Sequence, residues 1–206
     1  HAENIEIKNG HITFDFISPM ENVEGVELGQ PIPINIENGV AAMAMAQLNG
    51  CTAEELRYGM STYHGVERRF DFKIKNDRHV LLSDYAHHPK EIYQSAKSLR
   101  ELYHDRKVTA IFQPHLYTRT YQEFAKALSQ LDEVILCDIY PAREQPIKGV
   151  TSQLIYDELT CKEKSMIHKE EVLDLVKQRD FDVLVILGAG DLDNYVPQMA
   201  KIIESK

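Results

Sequence analysis

The chain has 206 residues, of which 43% are hydrophobic and 27% charged, and its formal net charge is −9. This composition provides ample material for a buried core and argues against disorder, and the apolar runs fall far short of the roughly 20 residues that span a bilayer. The negative charge argues against a general nucleic-acid binder, although a few local Arg or Lys side chains can still hold an anionic small ligand.

The three cysteines and the first residues give two further expectations. Cys51, Cys137 and Cys161 are far apart and form no C-x-x-C pair, so neither a disulfide framework nor a zinc ribbon is indicated. Because no signal peptide is present either, we expect a reducing, cytoplasmic setting. The chain opens at His1 without Met, directly into strand-like alternation, which we interpret as a cut inside a longer protein.

The first 80 residues are predicted to contain strands followed by helices. Residues 5–8 and 11–17 alternate apolar and polar side chains around Asn9-Gly10, a dipeptide that favours a tight hairpin turn. Residues 70–75 return to the same alternation. These segments predict an antiparallel hairpin near the start of the chain and one strand before the second half.

Two helices are predicted between these strands. An Ala- and Met-rich run over residues 38–48 has helical character, and Gly50 follows where it can end the helix. Thr52 and Glu55 then form the T-x-x-E pattern of a capping box, which opens a second helix reaching about Met60.

From Val80 onward, short apolar runs alternate with amphipathic helices. Buried strands are predicted over residues 80–82, 108–112, 134–137 and 183–187. One of the intervening helices carries Ile92, Ala96, Leu99 and Tyr103 on one face, and Asp193 is predicted to cap the last helix. This alternation predicts an α/β fold with a doubly wound, mostly parallel sheet. We place the domain boundary just before Val80.

Polar segments follow the predicted strands, at the edge where doubly wound sheets bind ligands. They span residues 83–89, 113–120, 138–144 and 188–191. Asp, Pro, Tyr and Gly are also ordinary turn residues, which is the alternative interpretation of any one segment. The first two segments together bring three His and one Arg, and they favour a functional site.

Three local patterns leave alternatives open. Neighbouring His87 and His88 point in different directions and lack an H-E-x-x-H context, so no metal site formed by this chain alone is expected. Gly188-Ala189-Gly190 is a truncated dinucleotide motif, which close strand–helix packing explains equally well. The pair Arg68-Arg69 is either an exposed basic corner or a guanidinium that reaches phosphates or ribose, and Arg68 is expected to take the solvent-facing role.

Several strings resemble the Mur ligases of peptidoglycan synthesis. They are D-Y-A-H-H-P at 84–89, F-Q-P-H-L-Y-T-R-T at 112–120 and P-I-K-G-V-T-S at 146–152, and the segments 35–38 and 65–70 fit as well. The resemblance implies that residues 1–79 form the C-terminal part of a central ATPase domain, a smaller α+β piece. Residues 80–206 would form a C-terminal Rossmann-like domain.

The resemblance also implies an activity. In the branch of the family with this second string, ATP phosphorylates the carboxylate of UDP-N-acetylmuramate, and the amine of L-alanine attacks the acyl phosphate. The family's P-loop and Mg²⁺ ligands are absent from this chain, so the chain alone is expected to be inactive. Its partners would be these small-molecule substrates and the remaining segments of the same protein, with no nucleic acid and no membrane.

Site residues are carried over position by position from this resemblance. Asn35 and Asn38 would lie beside the adenine, Arg69 would reach ATP, and Asp84 would lie near the ATP ribose. The residues that would close over the acyl phosphate and the amino acid are Tyr85, His87, His115 and Arg119. Leu116 stands where an Arg is common in the family.

Three rivals remain. A murein-tripeptide recycling ligase shares the D-x-A-H-H-P element but differs at the second string. A nicotinamide- or flavin-dependent oxidoreductase would carry G-x-G-x-x-G after its first strand, where this chain has Asp84-Tyr85-Ala86-His87. A non-catalytic interaction domain would not need polar clusters at successive strand ends.

Overall fold

The computed structural model of the protein describes residues 1–118 and 121–206. The chain divides into two compact units, residues 1–66 with 101–103, and residues 67–100 with 104–206. This division lies earlier in the chain than the boundary expected before Val80. The reason is that the strand preceding Val80 pairs with the strand that begins there. Across the described residues, no helix combines the length and apolar character needed to cross a membrane.

The first unit contains a three-stranded antiparallel sheet. Its strands, in spatial order, are β1 (Ala2–Lys8), β2 (His11–Phe16) and β3 (Val23–Glu27). The predicted hairpin is confirmed, because β1 and β2 pair around Asn9 and Gly10, which have φ angles of 47° and 77°. Two successive positive φ angles are the signature of a type I′ turn. The third strand was not predicted.

Two helices complete this unit. Helix α1 spans Ile34–Leu48 and α2 spans Ala53–Thr62. The capping box is confirmed, because the Thr52 hydroxyl accepts the Glu55 N–H at 3.3 Å and the Glu55 carboxylate accepts the Thr52 N–H at 2.8 Å. Gly50 has a φ of 88° and follows α1 as expected.

The second unit is built on a six-stranded sheet with the order β4-β5-β9-β6-β7-β8. Strand β4 is antiparallel to its neighbour and the other pairs are parallel. The strands are β4 (Asp71–Lys75), β5 (Val80–Asp84), β6 (Val108–Phe112), β7 (Glu133–Leu136), β8 (Glu163–Met166) and β9 (Val183–Leu187). The α/β fold class with a mostly parallel sheet is therefore confirmed.

Helices lie on both faces of this sheet. They are α3 (Pro89–Leu102), α4 (Tyr121–Leu128), α5 (Gln153–Glu158), α6 (Val172–Gln178) and α7 (Val196–Glu204). Ile111 belongs to the core cluster formed with α6 and α7. Its neighbour Phe112 points the other way and meets Phe124 of α4, with ring centroids 5.5 Å apart. The last helix begins later than predicted, because Asp191–Tyr195 forms a short 3₁₀ turn.

Candidate functional site

Four parallel strands end together at one edge of the six-stranded sheet. Asp84 of β5 is in register with Leu187 of β9, Leu187 with Phe112 of β6, and Phe112 with Leu136 of β7. The polar segments that follow these strands therefore start side by side, as the sequence predicts. Ligands of doubly wound folds bind beyond this edge.

A row of rings crosses this edge. The Arg68 guanidinium lies over the Tyr85 ring, 4.9 Å from its centroid, and the Tyr85 and His87 centroids are 5.1 Å apart. His87 lies 5.8 Å from His115, and His115 stacks on Tyr140 at 5.8 Å. We call these five residues the edge row. It brings Tyr85, His87 and His115 together, which were predicted as site residues from two separate strand ends.

Asp84, the residue predicted near the ribose, is engaged within its own turn. Its carboxylate accepts hydrogen bonds from the Ser95 hydroxyl and, at 3.2 Å, from the Ala86 N–H. Burial raises the pKa of this carboxyl above its ordinary value, although these hydrogen bonds oppose the shift. Asp84 therefore shapes the turn that presents Tyr85, and its role toward a ribose stays a prediction.

His87 and His88 lie just before helix α3, which begins at Pro89. The Glu91 carboxylate accepts the N–H groups of His87 and His88, each at 3.1 Å. Burial alone would raise the pKa of Glu91, but these hydrogen bonds and the two imidazoles outweigh it and lower that pKa. The His87 Nδ1 lies 3.0 Å from the Tyr85 carbonyl oxygen. A carbonyl only accepts, so Nδ1 carries the proton and a neutral His87 keeps a lone pair on Nε2.

His115 lies on an extension of strand pairing past the end of β6. The Tyr140 N–H donates to the Pro114 carbonyl at 2.8 Å, and the Leu116 N–H donates to the Tyr140 carbonyl at 3.1 Å. These bonds form a parallel bridge between His115 and Tyr140. They fix His115 against the loop after β7. Arg119, the other predicted residue of this segment, lies outside the described residues.

The glycines at the end of β9 meet a packing requirement. A Cβ on Gly188 would lie 2.6 Å from the Gln113 carbonyl oxygen, and a Cβ on Gly190 would collide with the Gln113 amide. That amide donates to Asp191 at 3.0 Å and accepts the Leu192 N–H at 3.1 Å. Close packing, one of the two interpretations of this motif, is what these contacts support.

The expectation that Arg68 faces solvent is wrong. The Arg68 Nε lies 3.1 Å from the Asp193 carboxylate, and its terminal nitrogen lies 3.4 Å from the Gly190 carbonyl oxygen. A turn directs it inward: Arg68 has a φ of 60°, and its N–H donates to the Asp71 carboxylate at 2.9 Å. Arg69, the member of the pair predicted to reach ATP, is exposed.

Asn35 and Asn38 belong to the first unit. The Asn35 amide donates to the Gln30 carbonyl at 3.1 Å, and the Asn38 amide donates to the Asn35 side-chain oxygen at 3.2 Å. Both line a cavity of about 470 Å³ between α1 and α2, which is otherwise largely apolar and includes Met43 and Met60. Their predicted contact with adenine stays a prediction.

Among residues 1–118 and 121–206, no group of three or more His, Cys, Asp or Glu side chains is arranged to hold a metal ion. His87 and His115 face each other without a carboxylate or thiol that completes a ligand set. The described residues therefore provide no preformed ligand cluster for Mg²⁺, an ion that proteins commonly hold with one or two carboxylates together with substrate phosphates.

Sequence reasoning passed over two residues of this edge, Tyr140 and Gln113. Both lie inside polar segments that the sequence places after strands, so their location could have been predicted. Their contacts could not, because strand order decides that Tyr140 stacks on His115 and that Gln113 bonds to the 188–192 loop.

Comparison with known proteins agrees with this geometry. The family described as Mur ligase, glutamate ligase domain, matches residues 68–190. The UDP-N-acetylmuramate–L-alanine ligase of Phocaeicola vulgatus is 63% identical, over 100% of this chain and 46% of its own length. The ligase of that name from Porphyromonas gingivalis strain W83 is 48% identical, over 99% and 46%.

A solved structure shares the fold as well. The UDP-N-acetylmuramate–alanine ligase of Thermotoga maritima aligns with a TM-score of 0.77 at 23% identity, over 99% of this chain and 45% of that one. The chain thus spans about half the length of the relatives it matches. Since the matched segment contains the edge row and strands β4 to β9, this chain belongs to the Mur ligase family.

Proposed function

We propose that this chain is part of an ATP-dependent ligase that joins L-alanine to UDP-N-acetylmuramate. A carboxylate oxygen attacks the γ-phosphorus of ATP, so that an acyl phosphate forms and ADP leaves. The amine of L-alanine then attacks the acyl carbon, the bond to phosphate breaks, and the nitrogen loses a proton as the amide forms. This route replaces a very poor oxide leaving group by a good one.

The edge row is the observation that supports this proposal most. It places two imidazoles and one guanidinium within one line of ring contacts, where an anionic substrate and an amine can be aligned. We assign His115 to orient the amino acid or accept its proton, since an imidazole titrates near neutrality. Arg119 would grip its carboxylate through two parallel hydrogen bonds. His87 and Tyr85 would flank the acyl phosphate.

For ATP we propose Arg69 at the phosphates, Asp84 near the ribose, and Asn35 and Asn38 at the adenine. The family resemblance implies that the Mg²⁺ ligands lie outside this chain, and the described residues form no metal-ligating cluster, so we place the ligands of that ion outside this chain and derive no step through it. Accordingly, we expect the 206-residue chain alone to turn over no ATP, because phosphoryl transfer needs the phosphate-binding loop and metal together with these residues. We place the full enzyme in the cytoplasm, beside its nucleotide substrates.

The test uses the full-length protein with ATP and UDP-N-acetylmuramate whose carboxylate is labelled with ¹⁸O. We expect release of inorganic phosphate that requires L-alanine and carries one ¹⁸O, because the acyl phosphate keeps a carboxylate oxygen when it breaks. Release that requires a murein tripeptide instead would identify the recycling ligase. Absence of release with either acceptor would refute the proposal.

A further inference from the structure

A second contact ties the His115 loop to the loop after β7. Beyond the bridge at Tyr140, the Glu144 carboxylate reaches back across the gap between the two loops. Its Oε2 accepts the Tyr117 N–H at 2.6 Å and the Thr118 N–H at 3.3 Å, while its Oε1 accepts the Thr118 hydroxyl at 2.7 Å. One carboxylate therefore holds three donors from two consecutive residues. We call this contact the Glu144 clamp.

The carboxylate is itself held in place. The Glu144 N–H donates to the Pro141 carbonyl at 2.9 Å, which closes a turn in which Ala142 has a φ of 51°. The Thr118 hydroxyl, followed by the two N–H groups and the nearby His115, keeps the pKa of Glu144 below its ordinary value. The group is thus ionised at neutral pH, and bonds to an ionised acceptor are stronger than neutral ones.

The clamp lies next to a strained residue. Leu116 has a φ of 74°, a conformation that non-glycine residues adopt at a free-energy cost and keep only where the surroundings impose it. Its N–H is fixed by the Tyr140 carbonyl, and the next two residues are fixed by Glu144. The loop is therefore pinned on both sides of its strained position, immediately before Arg119 in the sequence.

We propose that Glu144 is a positioning residue for the incoming amino acid: by clamping Tyr117 and Thr118, it fixes the loop that presents His115. This inference rests on the proposed function. Glu144 touches no substrate in it and acts only through the loop. The loop conformation that includes the strained Leu116 is the state that binds the amino acid, and loss of the clamp releases it.

The test compares Glu144→Ala, Glu144→Gln and the control Glu158→Gln in the full-length enzyme. Glu158 is an exposed glutamate and the last residue of α5. We expect Glu144→Ala to raise KM for L-alanine about tenfold or more, since displacing a positioned group by about 1 Å can reduce enzyme efficiency by about a hundredfold. KM for ATP should stay unchanged, and Glu158→Gln should match the wild type in both constants.

The Gln variant separates the clamp from simple charge. Its amide oxygen can accept the two N–H groups while its NH₂ donates to the Thr118 hydroxyl, so the clamp persists without the charge. We expect a KM for L-alanine between those of the wild type and Glu144→Ala, since neutral hydrogen bonds keep the same geometry but are weaker than charged ones. A Gln variant as impaired as the Ala variant would overturn the proposal.

Three further outcomes are decisive. If Glu144→Ala has the wild-type KM for L-alanine, or raises KM for ATP equally, the inference is wrong while the proposed function stands. If the wild-type enzyme itself releases no phosphate with L-alanine, the proposed function fails first. If Glu144→Ala does not fold, Thr118→Val removes one donor alone and should raise KM for L-alanine in the same direction; an unchanged KM would overturn the inference.

Discussion

Replacing Gly188 by Ala tests how closely β9 approaches β6. Gly188 has a φ of 131°, and an added Cβ would lie 2.6 Å from the Gln113 carbonyl oxygen. That oxygen belongs to the backbone and cannot rotate away, so one of the two strand ends must shift. The unfavourable φ costs about 1–3 kcal/mol, and overpacking adds about 1–3 kcal/mol. Together these predict a loss of about 2–6 kcal/mol of unfolding free energy.

Gly149→Ala is the matched control. Gly149 has a φ of 85°, and an added Cβ would meet nothing within 4 Å. Gly149→Ala should therefore lose only the free energy of the unfavourable backbone conformation, about 1–2 kcal/mol. The difference between the two variants reports the contact with Gln113 together with the difference in backbone cost between φ angles of 131° and 85°.

The assay is urea and thermal unfolding of the 206-residue chain, followed by circular dichroism. For a chain of this size, each kcal/mol corresponds to roughly 2–4 °C in Tm. Gly188→Ala should unfold several degrees below Gly149→Ala, with an unchanged urea m-value. Equal destabilisation by the two substitutions would refute the close approach of the strands.

Three other substitutions test the site and its support. In urea unfolding, Arg68→Ala should lower the unfolding free energy by about 1–2 kcal/mol, because it removes the contacts with the 188–193 loop. Asp84→Asn should be at least as stable as the wild type near neutral pH, because burial disfavours the ionised carboxylate. Because the pKa of Asp84 is raised in the folded state, protonated Asp84 stabilises the wild type fully below the unfolded-state pKa, and this stabilisation is lost as pH rises through the folded-state pKa. The difference in Tm between Asp84→Asn and the wild type should therefore shrink on acidification. Glu133→Gln should lower the unfolding free energy by about 1–3 kcal/mol, because Arg179 and Lys107 both lose a charged partner.

Each of these three has a contrary outcome. An unfolding free energy of Arg68→Ala equal to that of the wild type would contradict a stabilising role for the contacts with Asp193 and Gly190. A Tm of Asp84→Asn well below that of the wild type at neutral pH would show that its carboxylate is favourably ionised. Burial alone would raise the pKa of Glu133, but its cations lower it. The stability from Glu133 should therefore be lost as pH falls through that pKa, and a difference unchanged down to pH 3 would contradict this.

Much of the second unit could be predicted because its strands are buried on both faces. The runs at Val108–Phe112 and Val183–Leu187 are continuous and apolar, and no helix of that length would be stable alone. Strand β8 was missed because it is an edge strand, whose sequence Glu163–Met166 is largely polar. Strand β3 was missed because glutamates and Gly25 interrupt its pattern. Both strands owe their existence to pairing with a neighbour, which local sequence does not encode.

The same distinction applies to the candidate site. Its location followed from polar residues after buried strands, a local signal, and the edge row lies there. The contacts of Arg68 and Glu144 could not be predicted from the sequence, because their partners lie in loops that are distant in the chain. A positive φ at Arg68 directs its side chain inward, and nothing in the residues 65–70 marks that angle.

The central position of β9 has a consequence for synthesis on the ribosome. Strand β9 lies between β5 and β6, yet it follows every other strand of this sheet in the chain. Until Val183–Leu187 has emerged, β4 and β5 form one sheet fragment and β6 to β8 another, and each exposes an unpaired edge. Such edges recruit other strands, so nascent chains are open to aggregation during this interval. The two fragments can join only late, when β9 pairs with β5 and β6, which lie far from it in the sequence. A chain that terminates shortly before β9 should therefore be insoluble rather than a smaller folded domain.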